Sequence, residues 1–182
     1  MMQTDIEAPG PAGPLRGTLL SPATGDVPVV LIVPGSGPTD RNGNNPYGIQ
    51  ASIYRLLAEG LLGQGIASVR IDKRGMYGSA SAIADADDVT IDDYAADVRA
   101  WVAAIRARTG ARRVRARLTI VANANHVLKT VHTDARDENL AAYSHPDLPL
   151  ASGVVEAISA FVRESTGGGM GRPALSQRKN AR

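Results

Sequence analysis

A chain of 182 residues with 43% hydrophobic content can bury one substantial core, and it is too short for two full domains. The absence of cysteine excludes disulfides, thiolate nucleophiles and cysteine metal centres. A formal charge of +2, with arginines that do not gather among aromatics, lends no support to nucleic-acid binding, and no apolar stretch approaches the ~20 residues that span a bilayer.

The opening Met1-Met2-Gln3-Thr4-Asp5 has no basic region followed by an apolar run, so no signal peptide is expected and a cytoplasmic location is inferred. Residues 3–8 and 14–20 are short, partly alternating runs separated by Gly10-Pro11-Ala12-Gly13, which predicts a β-hairpin. Val27–Val33 is nearly continuous aliphatic sequence stopped by Pro34-Gly35, the pattern of a strand covered on both faces. Ile49, Ile53, Leu56, Leu57, Leu61 and Leu62 recur at helical spacing, with Gly63–Gly65 as the stop. Ile66–Asp72 is a second strand of the buried type. Thr90 opens a helix with Asp92 and Asp93 in its first turn and Arg106 and Arg108 in its last, an order that complements the helix dipole. Leu118–Val121 predicts a third buried strand, residues 132–150 a polar loop, and Val154, Val155, Ile158, Phe161 and Val162 a final amphipathic helix. From 166 the Gly-rich, basic tail to 182 has no apolar period and is expected to be disordered.

Strands alternating with helices predict an α/β fold with a mostly parallel sheet, an N-terminal hairpin and flanking helices. In such sheets chemistry collects at the carboxyl ends of the strands, which here means the loops after Val33, Ile71 and Val121. The first loop, Pro34 to Asn44, contains Gly35, Ser36 and Gly37. Its backbone N–H groups could form an oxyanion hole or cradle a phosphate, or the segment could be a plain turn. No third glycine follows at Thr39-Asp40 and no Gly-Lys-Ser/Thr is present, which weakens the phosphate reading. After Ile71, Asp72 and Arg74 read as a local ion-pair and turn network, and nothing around Ser79 marks it as a nucleophile. His126 lies just past the third predicted strand. Alone, a histidine is more often structural than catalytic. His132 and His145 sit in polar sequence, and the acids near them (Asp134, Asp137, Glu138 and Asp147) lack metal-ligand spacing, so no metal and no cofactor is expected.

Taken together, three segments resemble the α/β-hydrolase superfamily, in particular bacterial serine esterases and acyl-aminopeptidase-like enzymes. Val27–Val33 with its Pro-Gly-Ser-Gly-Pro-Thr-Asp-Arg-Asn-Gly-Asn loop resembles the oxyanion loop of that group. Asp72-Lys73-Arg74-Gly75-x-x-Gly78 resembles the turn after its fourth strand. Leu118–Val121 with Asn125-His126-Val127-Leu128-Lys129 resembles its eighth strand and catalytic-histidine loop. The likeness implies His126 as the catalytic histidine, Gly35, Ser36 and Gly37 as the oxyanion-hole loop (Ser36 through its amide), and a small acyl or ester substrate. It also implies a Gly-x-Ser-x-Gly elbow and an acidic partner. No serine of this chain meets that pattern. Ala111–Val114 resembles the start of the family's fifth strand, and Arg115 onward already resembles the approach to its eighth, which puts an apparent join near 114–117. The domain over 1–165 is therefore expected to be a reduced, internally truncated α/β-hydrolase with no nucleophile. The run 117–122 is expected to pair in parallel with 27–33. An unfilled place would leave a sheet edge open to homodimerisation. The alternatives are a non-catalytic binding or dimerising module and, behind it, a nucleotide-binding α/β protein.

Overall fold

The computed structural model of the protein describes residues 1–23, 27–35, 37–86, 89–110, 124–130, 132 and 136–166. The alternating runs at the N-terminus form β1 (Met2–Ala8) and β2 (Leu15–Ser21), antiparallel with Met2 opposite Ser21 and Ala8 opposite Leu15. β2 also pairs antiparallel with β4 (Ala67–Ile71), and β4 pairs in parallel with β3 (Val29–Ile32). The result is a mixed, open four-stranded sheet in the order β1-β2-β4-β3, and helices flank it in a small α/β fold. β3 is shorter than the predicted 27–33. Pro28 has no N–H to add to the ladder, but its carbonyl accepts from Ala67 N–H at 2.9 Å and so begins the pairing.

The period-two alternation of β3 and β4 sorts side chains onto two cores. Ala67, Val69 and Ile71 join Leu15 and Leu19 of the hairpin, with Trp101 and Ile105 over them and Val29 and Leu31 at the border. On the other face Leu20, Ile32 and Val30 meet α1 (Ile53–Gly63) and α4 (Val154–Thr166), through Leu57, Leu61, Val154 and Val162. Trp101 and Ile105 belong to α2 (Ile91–Thr109). Its N-terminus carries the predicted cap. The Thr90 hydroxyl oxygen accepts from Asp93 N–H at 3.3 Å, and the Asp93 carboxylate accepts from Thr90 N–H at 2.9 Å. Gly110 at φ +73° closes the other end.

Two expectations are corrected. Helix α1 starts at Ile53, not at Ile49, because Ser52 is left-handed at φ 50° and breaks the helical path. Its first amides are satisfied by a loop carbonyl instead of a capping side chain: Tyr54 and Arg55 N–H both donate to Asn42 C=O, at 3.1 and 3.2 Å. The segment 132–150, predicted as loop, contains α3 (Arg136–Ala141) and a 3₁₀ turn at Ala142–Ser144. A helix of under two turns shows no period in sequence. Tertiary contact fastens the turn that follows it, through buried Ala142 beside Ala51, Ile53 and Val127 and a 2.7 Å bond from Gln50 N–H to Tyr143 C=O. The predicted strand Leu118–Val121, its pairing with 27–33, the apparent join and the tail 167–182 lie outside the described residues. Among the described residues no helix is long and apolar enough to cross a membrane.

Candidate functional site

The loop leaving β3 is folded by its own polar side chains. The Asp40 carboxylate accepts from Asn42 and Asn44 N–H at 2.8 and 2.9 Å, and the Asn44 side-chain oxygen accepts from Ser52 N–H at 2.9 Å. Gly43, at φ +93°, leaves no room for a side chain, since a Cβ there would lie 2.9 Å from Ile53 N. Arg41 anchors this loop to the sheet. Its backbone N–H, Nε and a terminal guanidinium nitrogen donate to the Asp72 carboxylate at 2.9, 2.8 and 2.6 Å, and its other terminal nitrogen donates to the Thr18 hydroxyl at 3.0 Å. Gly78 N–H also reaches Asp72, at 3.1 Å.

The expected pairing of Asp72 with Arg74 is therefore corrected. Asp72 turns to Arg41, whereas Arg74 points to the first turns of α2. There its Nε and one terminal nitrogen donate to Asp97 at 2.7 Å each, and the other terminal nitrogen reaches Asp93 at 3.0 Å. Two residues apart on an extended chain would share a face, but the chain leaves the strand after Ile71 and turns at Arg74, so the two side chains part and each takes the partner on its own side. Asp97, with smaller contributions from Asp93, outweighs burial and holds the guanidinium firmly protonated. Ser79 is fully buried and structural. Its hydroxyl donates to Asp72 C=O at 3.0 Å and accepts from Arg16 N–H at 2.8 Å.

Lys73 lies between these two loops. Its ammonium donates to the carbonyls of Gly35 and Gly37, both at 2.6 Å, while Gly35 N–H donates to the Tyr54 hydroxyl at 3.2 Å. Gly37 itself is left-handed at φ +81°, and Ser36 between the two glycines lies outside the described residues. A cavity of about 280 Å³ opens at this end of the sheet, on the α2 side, and its mostly apolar wall includes Gly35, Lys73, Ile71, Val98 and Trp101. Because β3 feeds α1 on one face and β4 feeds α2 on the other, the crevice lies at a switch point, where α/β sheets hold their ligands.

His126 occupies a separate tight turn. Ala124 bridges Thr130, Leu128 N–H donates to Asn125 C=O at 2.9 Å, and the Asn125 side-chain oxygen accepts from Val127 and Lys129 N–H at 3.1 and 2.9 Å. Leu128 is held at φ 57°, an unfavourable conformation for a branched side chain, at a cost on the order of 1 kcal/mol. The His126 ring is exposed at the turn's tip, and among the described residues no hydroxyl or carboxylate bonds to it. It is not part of the cavity wall. The connection to the Gly35 loop is indirect: Val127 packs with Ile53, Tyr54 borders the same cluster, and Tyr54 meets Gly35. His132 and His145 are exposed, and among the described residues no acid and histidine cluster could hold a metal. Lys73, Arg41, Tyr54 and Trp101 were not singled out as site residues from the sequence. The one signal was a lysine inside the Asp-Lys-Arg-Gly turn.

Buried lysines make stability depend on pH. Burial pushes both Lys73 and Lys129 below the usual 10.5, and fully buried Lys129 donates to Leu148 C=O. As pH rises through the lowered native value, the folded chain releases a proton that the unfolded chain keeps, so stability increases up to the unfolded value. The urea midpoint is expected to rise as pH climbs from neutrality towards the unfolded lysine value of 10.5, and Lys129→Met should flatten part of that rise. Equal slopes for the two proteins would exclude a lysine origin.

No family model and no curated protein matches the chain. Among solved structures it is similar to a lidless α/β serine hydrolase from Xanthomonas campestris, with 23% identity, TM-score 0.42, and coverage of 59% of this chain and 46% of that one. It is also similar to a cold-adapted esterase from an Arctic intertidal metagenomic library, with 22% identity, TM-score 0.38, and coverage of 59% and 46%. The chain thus spans somewhat under half the length of either neighbour.

Proposed function

We propose that the protein is a reduced α/β-hydrolase related to bacterial serine esterases and acyl-aminopeptidase-like enzymes, which retains an oxyanion-type loop at Gly35–Gly37 and a histidine turn at His126 without a working serine centre. The observation that carries this reading is the sheet order β1-β2-β4-β3, with glycine-rich and Asp-Lys-Arg-Gly loops leaving β3 and β4 at one end. In that family the fifth strand, which leads to the nucleophile, lies beside the third. Without an attacking hydroxyl no acyl-enzyme forms, and without an acid behind His126 its tautomer is not fixed. Small acyl or ester compounds remain the substrate class by ancestry, and a cytoplasmic location accompanies the reading.

A fluorophosphonate probe tests it. The folded chain is expected to remain unlabelled under conditions in which an intact serine esterase labels fully, and labelling at any serine overturns the proposal. A second reading, a non-catalytic module that dimerises, is favoured by one feature: β3 ends the described sheet, and Val33 beyond it is 45% exposed. Sedimentation as a monomer at high concentration counts against it.

A further inference from the structure

The cavity at the β3 and β4 ends is lined by a buried lysine whose charge no carboxylate among the described residues balances. Lys73 is only 9% exposed, and two of its three N–H bonds go to the carbonyls of Gly35 and Gly37. The acids nearby are already engaged: Asp72 pairs with Arg41, and Asp93 and Asp97 pair with Arg74. No carboxylate among the described residues pairs with Lys73, and a buried ammonium without a counter-ion is costly. Lys73 lines the cavity beside Asp72, Arg74 and Asp97, whose charges are already paired, and the rest of the wall, including Val33, Ile71, Val98 and the Trp101 ring, is largely apolar.

An apolar recess with one desolvated cation is complementary to a molecule that is hydrocarbon at one end and anionic at the other. We propose that this cavity reversibly binds an aliphatic monocarboxylate, with its hydrocarbon chain against the apolar wall and its carboxylate on the Lys73 ammonium. The carboxylate would complete the third N–H bond of Lys73 and supply the counter-charge it lacks. Such binding needs no attacking serine, so it stands separately from the proposed loss of hydrolysis, which the fluorophosphonate probe reads independently.

Trp101 is the chain's one tryptophan, so its emission reports directly on the cavity. Titrating the full chain with octanoate, octanol and octylamine should give a saturable emission change, with octanoate bound about tenfold more tightly than octanol and octylamine weakest, since a hydrogen bond to a charged group exceeds a neutral one by about that factor. Lys73→Met should abolish the preference for octanoate over octanol. Equal affinity for octanoate and octanol overturns the proposal, as does no saturable change with any of the three, or a carboxylate preference that survives Lys73→Met. If circular dichroism shows Lys73→Met unfolded, the octanoate-to-octanol ratio on the unaltered chain decides alone.

Discussion

Asp72→Ala is expected to destabilise the protein by about 3–5 kcal/mol, a large part of the 5–15 kcal/mol that typically holds a domain folded. Asp72 is 2% exposed and accepts from the Arg41 side chain, the Arg41 backbone and Gly78. Its removal leaves a partly buried guanidinium, 21% exposed, with the Thr18 hydroxyl at 3.0 Å and the exposed Asp5 carboxylate at 3.9 Å, and orphans two backbone N–H groups. Asp72→Asn keeps the shape and one acceptor, so it should cost less while still losing the charge. The urea midpoint of the three proteins measures this directly. A loss under about 1 kcal/mol for Asp72→Ala would mean that the pair contributes no more than an exposed one.

Trp101→Ala is the second large effect, expected at about 3–5 kcal/mol. The ring is fully buried in the core formed by Leu15, Leu19, Val69 and Ile71, and it packs so closely on β2 that a Cβ at Gly17 would lie 2.8 Å from Cη2. Trp101→Phe keeps much of the area and removes the unmatched indole N–H, so it should recover most of the loss. Thermal unfolding of the two variants tests the ordering. A Trp101→Ala protein within about 1 kcal/mol of the parent would show that the core on this face closes around the gap.

The parts of the fold that depend on local rules were legible from the residues. The alternation in β1 and β2, the aliphatic runs of β3 and β4, the Thr90 cap and the stripe of α4 each record a backbone preference or a face to be buried. The parts that depend on approach from a distance were not. Nothing near Asp72 announces that its cation comes from position 41, and Arg74 beside it looked like the nearer choice. The 3₁₀ turn that ends α3 is fastened where Ala142 is buried beside Ala51, Ile53 and Val127, a contact without a sequence period. The same division holds at the site. Gly35 and Gly37 stood out as a turn with special backbone needs, whereas Lys73 acquires its meaning only when two carbonyls from the other loop meet its ammonium.

One core is shared between distant parts of the chain: Leu20, Ile32, Leu57 and Leu61 are covered by Val154 and Val162 of α4. A ribosome releases the first group long before the last, so during synthesis the part of this core that α4 covers must wait open until residues 154–162 have emerged. Closure over so long a sequence separation is entropically slow, and in that interval the bare face is a surface for chaperones or for other nascent chains.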